Sequence, residues 1–427
     1  MRPRNWWGRR CALVRELRRR STEDRAQSGL PAEIWILVTA SFVIALGFGI
    51  VAPALPQYAR SFGVGVTAAS AVISAFALMR LLFAPLSGRL VQRSGERPVY
   101  LTGLLIVALS TGACAFAQGY WQLLIFRGLG GIGSTMFTVS AIGLIIRMSP
   151  PQSRARVSGL YATSFLLGSI SGPLLGSALI GFGLRVPFAI YSVALLVAAA
   201  VVYFRLRDST LAKPDTSTDV RTMTLREGLA RSPYRASLMS NFANGWAVMG
   251  VRTAMVPLFV VEALHRSDAL SGIALTVFAV GNAIVLLPAG RLSDRWGRRP
   301  FLIVGATVCG AATIAMGLTD NLWLFFVASL IGGMGSGLIN PAQQAAVADV
   351  IGSTARGGPV LAVFQMVADV GSVVGPLVAG LLVQHFSYAT AFTVTGALLL
   401  VAALCWVAVP ETLVRAEPSG RDTDPDE

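Results

Sequence analysis

Apolar residues run in nearly unbroken stretches of about twenty along most of the chain, and polar residues gather in the short segments between them. Twelve such stretches are read, near 34–55, 67–87, 98–117, 120–146, 157–181, 184–204, 236–262, 268–289, 300–319, 322–348, 357–383 and 388–409. About twenty residues, at the helical rise of 1.5 Å, cross the roughly 30 Å of a bilayer's hydrocarbon. The pattern therefore predicts an all-α membrane protein of twelve transmembrane helices.

The polar segments repeat. "GRLVQRSGERP" (88–98) and "GRLSDRWGRRP" (290–300) lie 202 positions apart. At the same offset Trp121 with "GGIGS" (130–134) matches Trp323 with "GGMGS" (332–336). One position further on, "GSISGPLLG" (168–176) matches "GSVVGPLVA" (371–379). Spans one to six are thus duplicated in spans seven to twelve, which predicts two pseudo-symmetric six-helix bundles over 33–206 and 236–410. Between them 207–235 reads as a polar cytoplasmic linker; 1–32 is a basic tail and 411–427 an acidic one.

Composition agrees: 54% of residues are hydrophobic, 13% charged, and the mean hydropathy is +0.65, values outside the soluble range. A net charge of +14 would suit nucleic acid, but its placement argues for a membrane. Loops after the even spans hold eighteen Lys/Arg, and loops after the odd spans only Arg60, Arg185 and Arg266. The positive excess marks the cytoplasmic side, so both termini are expected inside and no nucleic-acid partner is expected. The tail "MRPRNWWGRRCALVRELRRR" reads as a topogenic segment; its Trp6, Trp7, Leu13 and Leu17 leave open an amphipathic surface helix. It lacks the apolar core and cleavage site of a signal peptide. Cys11, Cys114, Cys309 and Cys405 show no disulfide or metal spacing. No Walker loop, nucleophile elbow or HExxH helix occurs, so no enzyme activity, cofactor or metal is expected.

The loop at 290–299 matches G-x-L-x-D-R-x-G-R-R through Gly290, Leu292, Asp294, Arg295, Gly297, Arg298 and Arg299. Its glycines permit a tight turn, and its Asp is suited to accept hydrogen bonds from a neighbouring helix N-terminus. In the first copy, Gly88, Arg93, Gly95 and Arg97 hold the pattern; Gln92 replaces Asp and Glu96 replaces Arg. In span five Gly168, Gly172 and Gly176 form a stripe with Pro173, and Gly371, Gly375 and Pro376 repeat it. Span one carries "LGFGIVAPALP" (46–56), and span four Arg127 before "GLGGIG".

With these motifs the chain resembles major facilitator superfamily transporters from about residue 33 to 410, and in particular their twelve-helix drug/proton antiporter branch. The resemblance implies alternating access. Both charged loops would latch the halves together on the cytoplasmic side when the cavity opens outward, the first more weakly because Gln92 is uncharged. The glycine stripe would let the halves approach closely, and Arg127 would be tied to proton transfer.

Ionisable residues inside spans are costly and point to function. Arg80, Arg127, Arg252 and Asp369 stand out. The twin of Asp369 is Leu166 and that of Arg80 is Asn282, so these groups depart from the duplication. On a helical wheel Asp369 shares a face with Gln365 and Ser372, away from the Gly371 stripe. The expected site comprises Asp369 and Arg127 for protons, with Arg80, Arg252, Asn282 and Gln365 around the substrate; Arg252 is a possible ion-pair partner of Asp369. The expected function is export of small amphipathic compounds in exchange for protons by a monomer in the cytoplasmic membrane. The alternative is a metabolite or sugar carrier of the same fold. Reporters fused within 207–235 should read cytoplasmic and those near Gly119 or Asp320 external; the reverse pattern would sink this topology.

Overall fold

The computed structural model describes residues 32–148, 154–205, 223–352 and 358–413. The basic tail with its surface-helix reading and Cys11, most of the linker, and the tail beyond 413 lie outside the described residues. Twelve helices long and apolar enough to cross a membrane fill the rest. They are α1 (Glu33–Arg60), α2 (Val66–Ser94), α3 (Glu96–Ala115), α4 (Tyr120–Ile145), α5 (Gly159–Ile180) and α6 (Val186–Arg205), then α7 (Ser232–Ala263), α8 (Asp268–Trp296), α9 (Arg299–Gly317), α10 (Leu322–Ile351), α11 (Gly358–His385) and α12 (Tyr388–Val407). Trp121 and its twin Trp323 are exposed at the starts of α4 and α10, where amphipathic rings favour a bilayer interface.

Lipid tails are as apolar as leucine, so helices in a bilayer associate by close packing more than by hydrophobic drive. The repeated glycines supply that packing. A Cβ on Gly131 would lie 2.2 Å from the Phe76 carbonyl of α2, and one on its twin Gly333 2.1 Å from Phe278 O of α8. Two residues on, Gly133 and Gly335 face Gly103 O of α3 and Gly305 O of α9, at 2.5 and 2.8 Å. Each "GGxGS" thus presses one glycine on each of two neighbours.

The α5 stripe behaves likewise, with one difference from expectation. Cβ atoms on Gly168, Gly172 and Gly176 would fall 2.6, 2.5 and 2.3 Å from the carbonyls of Phe42, Leu46 and Ile50, all on α1. Gly371 and Gly375 face the carbonyls of Phe242 and Trp246 on α7 at 2.3 and 2.8 Å. The stripe therefore packs each half on itself and does not bring the halves together, because its register points at the first helix of its own bundle.

The halves meet where α2 crosses α11 and α5 crosses α8. Gly272 of α8 faces Ser177 Oγ and Pro173 O of α5, at 2.0 and 2.3 Å from a Cβ; Gly380 of α11 faces Thr67 Cα and Ser70 Oγ of α2, at 2.8 and 3.1 Å. Polar ties gather at the end away from the repeated loops. Arg60 Nε donates to Glu262 Oε1 at 2.8 Å, and Tyr388 Oη donates to Glu262 Oε2 at 2.6 Å. Gln57 Nε2 reaches Ser271 Oγ at 3.2 Å, and Thr67 Oγ1 reaches Gln384 Oε1 at 2.7 Å. Nearer the centre Ser74 Oγ donates to Val373 O at 2.7 Å. Among the described residues the Arg60, Gln57, Thr67 and Ser74 bonds and one ion pair described below join the halves, while the Tyr388–Glu262 bond lies within the second. At the loop end Gly88 has no neighbour within 4 Å of a Cβ, and its twin Gly290 only Pro341 Cβ at 3.8 Å. The described polar ties thus hold the halves together toward the far end, and neither loop glycine meets the opposite half.

Two helices are irregular. Pro53 interrupts α1. Helix α7 contains wide π-helical turns at Gly245–Val251 and Phe259–Ala263, a feature frequent at functional sites. Introducing a side chain at Gly172 should unseat α1 from α5: Gly172→Leu, and comparably Gly375→Leu, should lower folded yield and thermal stability in detergent, by at least the roughly 1–3 kcal/mol of an overpacked core. Wild-type melting of either variant would refute the close-packing role.

Candidate functional site

Between the halves lies a cavity of about 260 Å³ lined by Phe48, Phe76, Arg80 and Arg127 of the first half and by Asn241, Asn244, Asn340, Gln343, Gln365, Asp369 and Ser372 of the second. Gln365, Asp369 and Ser372 share a face of α11 because they are spaced by four and three residues. Asp369 Oδ1 stands 3.5 Å from Arg80 Nη2, a pair that crosses from α11 to α2, with the side chains 14% and 26% exposed. The partner of Asp369 is thus Arg80 and not Arg252, because α2 and α11 cross here while Arg252 points to another chamber.

A second chamber of about 230 Å³ shares Phe48, Ala52, Met249, Thr253 and Asn340 with the first and adds Phe165, Leu166, Leu275, Phe278, Arg252 and Asn282. Asn282 Nδ2 donates to Ser336 Oγ at 3.2 Å. Arg252 Nε donates to Val248 O at 3.3 Å, and its guanidinium sits 3.9 Å from the Phe278 ring centre. Arg127, 5% exposed, lies 4.2 Å from the Phe76 centre and 5.7 Å from that of Phe48. Phe76 and Phe278 are twins at offset 202, so each half holds one arginine on the same ring, a contact worth about 2 kcal/mol when desolvated. The arginines come from α4 and α7, which are not equivalent helices. Among the described residues neither has a carboxylate partner.

Sequence reasoning named Asn282 and Gln365 but passed over the amides of Asn241, Asn244, Asn340 and Gln343. Gln343 Nε2 donates to Asn241 Oδ1 at 2.8 Å, Asn241 Nδ2 to Phe364 O at 2.6 Å, and Asn244 Nδ2 to Asn340 Oδ1 at 3.3 Å. Their signal was present as uncharged polar residues within apolar spans. A reading led by ionisable groups hid it.

The two charged loops differ in construction. Gly95 and Gly297 end α2 and α8 with φ of +85° and +106°, conformations that glycine adopts without strain. Arg97 donates to Tyr203 O at the end of α6, and Arg299 to Trp406 O and Val407 O at the end of α12; both cations thus meet helix C-termini. In the second loop Arg298 is buried, ion-paired to Asp294 and, at 3.2 Å, to Asp349 of α10. Asp294 does not cap a helix as expected. That role falls to Glu411, whose carboxylate accepts from the backbone N–H of Arg298 at 2.7 Å and Arg299 at 3.1 Å, over the start of α9. All of these bonds stay within the second half. In the first loop Glu96 is buried at the position equivalent to Arg298, while Gln92 and Arg93 are exposed, as is Arg295 in the second.

Burial alone would push the Glu411 carboxyl up, but backbone donors from Arg298, Leu413, Arg299 and Thr412 outweigh it and hold it below its ordinary value. With a depressed folded value, its stabilisation is complete above the unfolded value of about 4.3 and is lost as pH falls through the folded one. Glu411→Gln should therefore lower the melting temperature at neutral pH, and the gap should close on acidification below about 4.3. A gap independent of pH would exclude the ionised cap.

A family model described as Major Facilitator Superfamily matches residues 37–249 and 237–425. Tetracycline resistance protein, class B, of Escherichia coli is 24% identical over 356 residues, covering 82% of this chain and 88% of that protein. Multidrug resistance protein MdtG of Salmonella paratyphi C is 27% identical over 374 residues, covering 84% and 90%. A solved bacterial homologue of the human lysosomal transporter Spinster, in an inward-facing and occupied conformation, shares the fold with a TM-score of 0.74 at 19% identity, over 88% of this chain and 95% of that one. Twelve apolar helices in two duplicated bundles around a central cavity, with the family match spanning nearly all of them, place this multi-pass membrane chain in the Major Facilitator Superfamily.

Proposed function

We propose that the protein exports small amphipathic, drug-like compounds across the cytoplasmic membrane in exchange for protons, working as a monomer with both termini and the linker in the cytoplasm. The Lys/Arg distribution supports that orientation. With it, the loop end is cytoplasmic and the far-end ties lie outside, which supports an inward-open state ready to receive a compound from inside. The domain bounds 33–206 and 236–410 are the two rocking units.

The observation that carries the reading is the Arg80–Asp369 pair, 3.5 Å apart, between the halves and on the cavity wall. A carboxylate there is open to protons arriving through the cavity, and its charge decides whether α2 and α11 are tied. Protonation removes the charge that Arg80 holds, and release to the cytoplasm restores it. Proton occupancy and the approach of the halves are thereby linked, which alternating access requires. Arg127, buried on Phe76 and lining the same cavity, is the second member of the coupling set. The second loop's Asp294–Arg298–Asp349 cluster rigidifies its own half at the inner face in this state.

Asp369→Asn imitates the proton-loaded form. In inside-out vesicles under a pH gradient it should retain substrate binding and lose gradient-driven accumulation, and substrate-induced proton release from purified protein should vanish. Proton release persisting at the wild-type level would remove Asp369 from the coupling. If Asp369→Asn instead fails to reach the membrane and Arg80→Gln in the same chain restores it, the pair is structural.

A further inference from the structure

The cavity's fully buried side-chain nitrogen and oxygen atoms that lack a partner are divided by sign between the halves. In the second half Gln343, Asn241 and Asn244 each donate one side-chain N–H to a protein partner, and Gln343 Oε1 and Asn244 Oδ1 are buried without partners. In the first half Arg80 Nε and Arg127 Nε are donors buried without partners. All four side chains line the same cavity. A buried polar group left unpaired is costly, so the complementary guest brings donors toward α7 and α10 and acceptors toward α2 and α4. A hydroxyl group does the first, and a carbonyl or hydroxyl oxygen the second.

Charge narrows the class further. The one carboxylate of the cavity already faces Arg80. Arg127 and, in the adjoining chamber, Arg252 have no acidic partner among the described residues, so the ionised side chains around the two chambers sum to a positive charge. A cation entering would meet that field at low dielectric. An organic anion without hydroxyl groups would satisfy the arginines but brings no donor for the amide oxygens. The chambers of about 260 and 230 Å³ together suit a drug-sized guest, and the second offers Phe165, Leu166, Leu275 and Phe278 to an apolar body.

Resting on the export reading above, we propose that this site selects neutral amphiphiles carrying both hydroxyl donors and carbonyl acceptors and discriminates against lipophilic cations, with Asn244 and Gln343 as specificity-determining residues.

The test uses the purified full-length protein and inside-out vesicles at mildly acidic pH, with three aromatic probes. Naringenin has hydroxyls and a ketone, its trimethyl ether keeps acceptors but no donors, and tetraphenylphosphonium is a permanent cation. Naringenin should bind about ten-fold or more tightly than either of the others and be exported in preference, as expected where a site's polar groups are otherwise left unpaired. Gln343→Leu combined with Asn244→Leu should collapse the gap between naringenin and its ether while leaving affinity for the ether in place, a split that general misfolding would not produce. In the unaltered protein, equal binding of naringenin and its ether, or tightest binding and export of tetraphenylphosphonium, overturns the proposal and leaves the export reading standing. Export of none of the three by protein present in the vesicles overturns both.

Discussion

Everything in this molecule depends on helix backbones being brought into contact where water offers no help. A bilayer gives apolar side chains little reason to leave lipid for protein, so attraction between spans comes from dispersion at short range and from polar groups deprived of solvent. Glycines at matching positions of both halves set helix backbones against their neighbours' carbonyls. Each bundle is rigid for that reason, and rigidity within bundles confines change to the seam between them. The ion pair and the amide cavity lie on that seam, so a change in one group's charge is felt by two bodies and not dissipated within either.

The duplication explains the scaffold, and the departures from it mark the site. Twin phenylalanines at 76 and 278 each carry an arginine, yet the arginines come from helices with different roles. Asp369 faces Arg80, while their twins are Leu166 and Asn282. A two-fold cavity would bind a symmetric guest in two equivalent ways. Placing donors on one side and acceptors on the other gives a guest one orientation.

Much of this was legible in the sequence, for physical reasons that differ by feature. The twelve spans follow from length and hydropathy, which the bilayer's thickness imposes directly. The two halves follow from an offset visible in loops and glycines alike. The neighbours of those glycines were not legible: the α5 stripe could have faced either half, and only the folded contacts show that it meets α1. Likewise Asp369 stood out as costly, but its partner depended on which helices cross at the seam, a relation between segments almost 290 positions apart. The amides of Asn241, Asn244, Asn340 and Gln343 carry no net charge and so left no mark on a reading led by ionisable groups, whereas Asn282 and Gln365 were found through their positions relative to Arg80 and Asp369. Glu411 lies just beyond the last span, where nothing in local composition signals that its carboxylate folds back over α9.

The two crossings between halves share one asymmetry. At both, the first half supplies serine, Ser70 and Ser177, and the second supplies glycine, Gly380 and Gly272, although Ser70 and Gly272 are twins at offset 202 and Ser177 and Gly380 at offset 203. Two copies of the first half would set hydroxyl against hydroxyl in a space with room for one, and two copies of the second would leave both junctions hollow. Neither half can stand in for the other. The seam thus fits unlike partners, and covalent linkage in one chain delivers them in equal number every time the protein is made.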